Sequence, residues 1–122
     1  MKALVVDDDE KNRKLLRDLL ALRKLEVVEA ATGEDGLAKI SVQCRLCVLD
    51  LRLPDMDGYT LAQKIREKYP AAYLVAYTAS ALKEETEKLK TSRLFDAVLL
   101  KPINLRDFDE VIGRFWERRG EV

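Results

Sequence analysis

The chain has 122 residues, a length that supports one domain with a hydrophobic core, because folding at this size buries roughly two thirds of the unfolded chain's surface. Lysine and arginine together number 22, and so do aspartate and glutamate, so the composition gives no global basic bias toward nucleic acid or a membrane surface. No uncharged stretch is long and apolar enough to span a bilayer, and Met1 leads directly into a strand pattern without a signal peptide. We therefore expect a cytoplasmic protein whose partner is another protein, with no direct contact to nucleic acid or membrane.

Two strand-helix units are predicted at the start of the chain. The apolar run Ala3 to Val6 predicts a strand, which ends in the three aspartates Asp7 to Asp9. An amphipathic helix is predicted over about Glu10 to Arg23 from leucines at helical spacing: Leu15, Leu16, Leu19, Leu20 and Leu22. Val27 to Ala31 is the second predicted strand, and a short helix follows over Glu34 to Ser41. Its side chains available for packing are Leu37, Ala38 and Ile40.

The third predicted strand leads into the stretch around which the sequence is organised. Leu46 to Leu49 is a continuous apolar run, the pattern of a strand buried on both faces of a parallel sheet. Asp50 follows it. A carboxylate is costly to desolvate inside a dry sheet, so we place Asp50 at the strand's carboxyl end, where open α/β sheets keep their ligand crevice. Pro54 and the segment Asp55 to Gly58 then turn the chain over that end, and Asp57 can cap the next helix.

Two more strands and two more helices have clear patterns. A helix is predicted over Tyr59 to Tyr69, and the fourth strand, Tyr73 to Tyr77, runs into Thr78. The fifth strand, Ala97 to Leu100, is followed by Lys101. The last helix has a single apolar stripe: Leu105, Phe108, Ile112 and Phe115.

The helix between strands four and five, predicted over Leu82 to Thr91, has the weakest apolar face. Its composition favours a helix, yet Leu89 is the one apolar residue between Lys83 and Arg93. We therefore expect it to be the most weakly packed helix of the chain.

The strict alternation of strands and helices predicts a parallel sheet covered on both faces, with right-handed crossovers. In such a sheet the carboxyl ends of all strands lie on one side. Four of the five strands end there in a reactive or polar group: Asp7 and Asp8, Asp50, Thr78, and Lys101. An aspartate after one strand is often only a turn former, but the ordered set is specific.

Four motifs hold these residues: L-V-V-D-D-D at residues 4–9, L-D-L-R-L-P-D-M-D-G at 49–58, A-Y-T-A at 76–79 and L-K-P at 100–102. In these motifs, and over essentially its full length, the chain closely resembles the receiver domain of bacterial two-component response regulators. The resemblance implies one receiver domain over residues 1–122. It also implies a flavodoxin-like, doubly wound α/β fold with five helices and a five-stranded parallel sheet of order 2-1-3-4-5.

The resemblance further implies a metal site. Similarity assigns the Mg²⁺ ligands as Asp8, Asp50 and the backbone carbonyl of Arg52, with Asp7 acting through water. The chemistry agrees with this assignment, because clustered carboxylates repel one another and Mg²⁺ is a hard cation that prefers oxygen ligands.

By the same resemblance, Asp50 is the phosphoacceptor. It would attack the phosphohistidine of a sensor histidine kinase or phosphotransfer protein, or a small phosphodonor, and form an acyl phosphate. Lys101 and the Thr78 hydroxyl would then recognise the phosphate. Such a chain is no ordinary enzyme, although it catalyses its own phosphorylation and dephosphorylation. A homodimer formed on phosphorylation stays open, and K-P-I at 101–103 is a sequence common in receivers attached to hybrid kinases.

The chain departs from the family at three places. Receivers usually carry an aromatic residue where this chain has Val98, which is too small and too stiff to swing as that residue does. We therefore expect the 82–91 helix, with its loop 79–81, to carry most of the response to a downstream protein target. Strand five and the C-terminal helix would complete that surface. A glycine typical of the family is also missing near Lys24, so that turn must be made differently or at a backbone cost. The glycine typical before strand five is missing around Leu94 and Phe95.

Other interpretations account for fewer residues. Cys44 and Cys47 form a C-x-x-C, but no histidine or further cysteine completes a zinc site, and Cys47 is expected in the strand core with Cys44 just before it. A dehalogenase-type phosphatase would leave Asp50 unused, and a flavin phosphate would be repelled by the acidic loop after strand one. The serious alternative is a receiver-like interaction domain that is not phosphorylated.

A small basic cluster lies near the end of the chain. It comprises Trp116 with Arg114, Arg118 and Arg119. We interpret it as a helix end with cations near the negative pole of the helix dipole rather than as a nucleic-acid patch, because no wider basic face accompanies it.

Overall fold

The computed structural model describes residues 1–80 and 82–118, in which strands and helices alternate in the predicted order. The strands are β1 Lys2–Val6, β2 Glu26–Ala30, β3 Cys44–Asp50, β4 Tyr73–Thr78 and β5 Ala97–Leu100. The helices are α1 Glu10–Ala21, α2 Gly33–Lys39, α3 Gly58–Lys68, α4 Lys83–Ser92 and α5 Leu105–Arg118. No helix in these two ranges is long and apolar enough to cross a membrane.

The five strands form one parallel sheet of order β2-β1-β3-β4-β5, which confirms the predicted fold class. The chain winds outward from β1 to β2 and then returns to place β3 on the other side of β1. The crevice between the carboxyl ends of β1 and β3 is therefore the topological switch point at which open α/β sheets bind their ligands.

Helices cover both faces of the sheet. On one face, β-strand side chains pack against α1 and α5 through Leu16, Leu20, Phe108, Val111, Ile112 and Phe115. On the other face, α3 contributes Leu61, Ala62 and Ile65, and the partly buried Leu37 of α2 and Ile40 just after it pack against the same cluster. The helix α4 packs through a separate, small cluster in which Leu89 meets Leu51 and Ala76. Leu89 is its one buried residue, as predicted.

The apolar pattern overstated the packed surface at four positions: Leu15, Leu22, Ala38 and Leu105 are exposed. Leu22 lies beyond the end of α1, and Leu105 is the first residue of α5, so neither reaches the sheet. In α2 the buried face is formed by glycines instead of Ala38, because a Cβ on Gly36 would lie 2.9 Å from Cγ2 of Val6.

The turn after α1 is made at a backbone cost, one of the two outcomes predicted for the glycine missing near Lys24, and the residue after α4 is left-handed as well. Lys24, just after α1, has φ 66°, and Arg93, the residue that ends α4, has φ 55°. Both conformations are left-handed, a region in which a side chain with a Cβ costs about 1–2 kcal/mol relative to the right-handed form. Before β5 the left-handed residue is Arg93. It immediately precedes Leu94 and Phe95, the positions around which the family's glycine is missing.

Asp96 ties four elements together at the amino end of β5. Its carboxylate accepts hydrogen bonds from the Leu74 N–H at 2.9 Å and from Arg66 at 3.1 Å, and it also pairs with Arg118. Arg66 further donates to the carbonyl oxygens of Ala72 and Leu94, each at 2.6 Å. Burial disfavours the charged form of Asp96, but the hydrogen bonds from Leu74, Arg118 and Arg66 outweigh it and lower its pKa.

Replacing this carboxylate should destabilise the fold in a pH-dependent way. Asp96→Ala should lower the free energy of unfolding by about 2 kcal/mol at neutral pH, since hydrogen bonds to a charged group are lost. The folded pKa is lowered, so the stabilisation is present above the unfolded pKa of about 3.9 and is lost as pH falls through the folded value. Urea unfolding at several pH values should show the gap closing below about pH 4. Glu117→Ala, which removes an exposed carboxylate from α5, is the control, and equal losses in both variants would contradict this role.

Candidate functional site

The register of the sheet brings the predicted site residues to one edge. Val6 is paired with Leu49, so Asp7 and Asp50 follow on neighbouring strands. Asp50 is paired with Tyr77, and Thr78 comes one residue later. Thr78 is in turn paired with Leu100, so Lys101 comes next on β5. The sequence order of these residues thus becomes a row along the carboxyl edge of the sheet.

Three carboxylates converge at the centre of this row. Asp7 is fully buried, Asp50 is 7 % exposed and Asp8 is exposed. An oxygen from each lies within 4.8 Å of an oxygen from the other two. Backbone groups hold the two buried ones, because Oδ1 of Asp7 accepts from the Asp9 N–H at 2.9 Å and Oδ1 of Asp50 accepts from the Arg52 N–H at 3.0 Å.

The Lys101 ammonium joins two of these carboxylates. Its Nζ lies 2.9 Å from Oδ2 of Asp7 and 3.3 Å from Oδ2 of Asp50, and 4.9 Å from the centre of the Tyr77 ring. The backbone N–H of Lys101 donates to the Thr78 carbonyl at 2.8 Å, which fixes the start of the side chain. Lys101 therefore spans from the edge strand to the centre of the sheet.

Burial and charge act in opposite directions on this pair. Burial raises the pKa of Asp50, assisted by the negative charge of Asp7 and opposed by the Arg52 N–H and by Lys101. Burial also disfavours the Lys101 ammonium, but the hydrogen bond to Asp7 and the charges of both carboxylates outweigh it, so the pKa of Lys101 is raised. Lys101 stays a cation, whereas Asp50 is a carboxylate held in a costly environment.

The site opens into a cleft of about 470 Å³. Its lining residues are Asp50, Arg52, Thr78, Ala79, Ser80, Leu82 and Lys101. The Thr78 hydroxyl accepts a hydrogen bond from the Ser80 N–H at 3.1 Å, which leaves its own hydrogen for another acceptor. A ligand in this cleft would meet a carboxylate, an ammonium and a hydroxyl together.

The donor set suits a small divalent cation. Three carboxylates against one ammonium leave two negative charges, and all the candidate ligand atoms are oxygens, which Mg²⁺ prefers. Arg52 is kept beside Asp50 by its own N–H, and it forms an isolated antiparallel bridge with Asp57. The residues present therefore fit the predicted metal.

Several residues that shape the site were missed by sequence reasoning. Arg13 donates to the backbone carbonyl of Asp7 at 2.7 Å and pairs with Glu29 of β2. Asn12 lies 3.4 Å from Oδ2 of Asp7. Asp55 accepts from two backbone N–H groups at the start of α2. The predicted cap Asp57 does accept from the Thr60 N–H. Asn12 and Arg13 lie about one helical turn after Asp8 and Asp9. That spacing is the sequence signal that could have indicated them.

The two cysteines lie away from this cluster. Both are free and buried, and β3 begins at Cys44, so Cys44 is inside the strand and not before it as predicted. Burial, followed by the charge of Cys44, raises the pKa of the Cys47 thiol, which therefore stays protonated.

The basic residues of α5 do not form one patch in the described part of the chain. Arg114 pairs with Glu110, and Arg118 pairs with Asp96. Trp116 packs partly against the core, with its ring 5.1 Å from that of Phe115. Arg119 lies outside the described residues. The three described members of the cluster, Arg114, Trp116 and Arg118, thus have local partners.

Comparison with known protein sequences identifies similar chains. The sequence model of the response regulator receiver domain matches residues 3–113. The sensor histidine kinase RcsC of Salmonella typhi is 37% identical over 119 residues, which cover 97% of this chain and 12% of that protein. The aerobic respiration control sensor protein ArcB of Escherichia coli K12 is 31% identical over 125 residues, covering 99% of this chain and 16% of that protein. The chain therefore spans only a small part of the length of these relatives.

Solved structures share the fold over nearly the whole chain. The BeF3-activated DrrB receiver domain is 30% identical with a TM-score of 0.84, covering 95% of this chain and 97% of that one. A two-component response regulator from Clostridium difficile is 28% identical with a TM-score of 0.88, and the match covers 98% of each chain.

The buried cysteines should be chemically silent. A chromogenic thiol reagent should react with neither Cys44 nor Cys47 in the folded protein, because both are buried and the Cys47 thiol is held protonated. After unfolding in urea the same reagent should report both thiols. The purified protein should also carry no zinc, and a zinc content near one equivalent by metal analysis would contradict this expectation.

Proposed function

Because the chain belongs to the response regulator receiver domain family, we propose that it is a phosphoacceptor in two-component signalling, phosphorylated on Asp50 in a Mg²⁺-dependent reaction. One observation carries the proposal: the Lys101 ammonium bridges Asp7 and Asp50 beside Asp8 at the switch point of the sheet. A lysine and three carboxylates at that place match the chemistry of a metal-assisted phosphoryl acceptor.

The metal would be held by this chain's own oxygens. Asp8, Asp50 and the Arg52 carbonyl would bind it directly, and Asp7 through water. When bound, Mg²⁺ supplies positive charge that offsets the carboxylates and the negative charge of the transferring phosphoryl group. The residues themselves bring the acceptor oxygen and the incoming phosphate together, which is most of what phosphoryl transfer requires of a protein.

Asp50 acts as the nucleophile. One of its carboxylate oxygens attacks the phosphorus of a phosphohistidine, and the bond from phosphorus to the imidazole nitrogen breaks. The imidazole keeps the electron pair and takes up a proton, while Asp50 becomes an acyl phosphate. In a separate hydrolytic step, water attacks the same phosphorus, the bond from phosphorus to the Asp50 oxygen breaks, and inorganic phosphate leaves while the carboxylate is regenerated. The chain would thereby also limit the lifetime of its signal.

Lys101 and Thr78 recognise the product. The Lys101 ammonium already lies 3.3 Å from Oδ2 of Asp50, so it can pair with a phosphoryl oxygen after a small movement. The Thr78 hydroxyl accepts from the Ser80 N–H and keeps a hydrogen of its own, so it can donate to another phosphoryl oxygen. These two contacts convert the chemical change at Asp50 into a pull on β4 and β5.

The donor would be a sensor histidine kinase or a phosphotransfer protein, and the reaction would take place in the cytoplasm. The similarity to segments of RcsC and ArcB, both sensor proteins by name, supports a kinase of that kind as the partner. The rival function, an interaction domain that is never phosphorylated, would leave the costly burial of Asp50 beside Lys101 without a use.

Phosphorylation should be confined to Asp50. Fresh acetyl phosphate with Mg²⁺ should add one phosphoryl group by intact-mass spectrometry, because within residues 1–80 and 82–118 a carboxylate, a lysine and a free cleft meet at Asp50. Asp50→Asn should remove the adduct, and so should chelation of the metal. The matched control is the double variant Cys44→Ser and Cys47→Ala, which should be labelled like the unmodified protein. No adduct on the unmodified chain, while a known receiver is labelled in parallel, would favour the rival function.

The weakly held α4 is suited to transmit the response. Its one buried side chain, Leu89, contributes about 1.5–3 kcal/mol, and its first turn has no side-chain cap. Lys88 adds a contact of 4.3 Å with the Tyr59 ring. A cleft of about 420 Å³ opens between α4 and β5 beside Val98, which is 41% exposed. We propose that α4 shifts into different packing when Thr78 is drawn toward the phosphate, and that α4, β5 and α5 present the result to a protein target.

Hydrogen exchange tests this output. Adding beryllofluoride and Mg²⁺ should change the protection of residues 79–93, while α1, anchored by Leu16 and Leu20, should be unaffected. Ala81 of the connecting loop lies outside the described residues, so its own exchange is left unspecified. Asp50→Asn with the same additions serves as the control and should show no change. If the protein without substitutions keeps the same protection throughout residues 79–93 when beryllofluoride and Mg²⁺ are added, a response carried by α4 is refuted.

A further inference from the structure

The loop 51–57 between β3 and α3 is bound at its tip to α2, a helix that carries none of the site residues. Oδ1 of Asp55 accepts from the Gly33 N–H and Oδ2 accepts from the Glu34 N–H, each at 2.9 Å. Met56 packs beside this contact, since a Cβ on Gly33 would lie 2.6 Å from its Cγ and Sδ. The loop therefore contacts α2 through both a two-pronged hydrogen bond and a side chain.

The base of the same loop is closed tightly on the site. The Gly58 N–H donates to the Leu51 carbonyl at 2.8 Å. The backbones of Arg52 and Asp57 form an isolated antiparallel β-bridge across the loop. Gly58 has no room for a Cβ, which would lie 2.6 Å from the Asp50 carbonyl oxygen. Arg52 and Asp55 thus belong to one short, closed loop, and through Asp57 the backbone of Arg52 is joined to the segment that follows the tip.

The helix α2 is itself fixed to the strand that carries the other carboxylates. Gly36 lies against Val6, so close that a Cβ would approach Cγ2 to 2.9 Å. Lys39 donates to the Glu29 carbonyl of β2 at 2.9 Å. The start of α2 thus has a set position relative to β1, and Asp7 and Asp8 follow β1 directly.

We propose that Asp55 is a positioning residue of the metal site. It sets the place of the Arg52 carbonyl relative to Asp7 and Asp8, through α2 and β1. Asp50 needs no such help because it ends a strand, whereas Arg52 lies in a loop. Mg²⁺ accepts ligands only in near-octahedral geometry at about 2.1 Å, so a small displacement of one oxygen lowers affinity. This inference rests on the proposed function, since the Arg52 carbonyl matters only if the site binds Mg²⁺.

Two variants, each of which removes a hydrogen bond to the start of α2, distinguish this positioning role from a general loss of stability. Asp55→Ala removes the bond between loop and helix. Thr32→Ala removes the cap of α2, where the Thr32 hydroxyl accepts from the Asp35 N–H at 3.0 Å, without touching the loop. Asp55 is exposed, so its variant should fold, and circular dichroism checks this.

Exchange and calorimetry give the two readouts. In metal-free protein, Asp55→Ala should speed amide exchange over residues 52–58, and Thr32→Ala should not. By isothermal titration, Asp55→Ala should bind Mg²⁺ about tenfold more weakly, whereas Thr32→Ala should match the unmodified protein. At saturating Mg²⁺ the phosphorylation rate of Asp55→Ala should return close to that of the unmodified protein, because Asp55 touches neither phosphate nor nucleophile.

The outcomes distinguish the two proposals. If the unmodified chain neither binds Mg²⁺ nor accepts phosphate, the proposed function is wrong and this inference falls with it. If the unmodified chain does both, and Asp55→Ala has the same Mg²⁺ affinity and loop exchange, only the positioning role is wrong. Equal weakening by Asp55→Ala and Thr32→Ala would likewise overturn it, since the effect would then belong to α2 in general.

Discussion

The repulsion among three carboxylates at the carboxyl edge of the sheet is the constraint on which the site depends. Asp7 and Asp50 are buried on adjacent strands, with Asp8 beside them, and burial makes their mutual repulsion costly. Lys101 reaches across from the edge strand and offsets part of this charge. The remaining negative charge means that these three carboxylates could hold a metal ion, which the proposed function requires. Stability and function therefore make opposite demands on the same few atoms.

The elements around this site differ in how firmly they are held. At the amino end of β5, the Asp96 carboxylate joins α3, β4 and α5 through charged hydrogen bonds with Arg66, the Leu74 N–H and Arg118. By contrast, α4 packs through one buried side chain, Leu89, and is followed by the left-handed Arg93. Under the proposed function, a phosphoryl group on Asp50 would act between firmly held elements and the weakly packed α4. A conformational switch requires such a difference in local stability, because a change at the site then moves the least stable element and leaves the others in place.

The loop after β3 shows how a distant helix can enter the chemistry of a site. Asp55 is three residues from Arg52 in sequence, yet its bonds run to α2, whose own packing is set by Val6 and Glu29. Strand ends need no such support, because the sheet's ladder fixes them. Loop residues do, and the structure supplies it through glycines that allow close approach at Gly33, Gly36 and Gly58.

The sequence by itself determined the order of strands and helices, the sheet order through its family motifs, and the four strand ends that carry polar groups. The spacing of apolar residues and the position of a polar residue after an apolar run are local properties, so they can be recognised in the sequence. Only the tertiary structure decided that Lys101 contacts Asp7 as well as Asp50 and that Leu15 and Leu22 are exposed. It also decided that Asp55 accepts hydrogen bonds from the start of α2 and that Arg13 donates to the Asp7 carbonyl. Those outcomes depend on strand register and on which helix lies over which strand. Both follow from contacts between residues far apart in the chain, and a single sequence does not reveal such contacts.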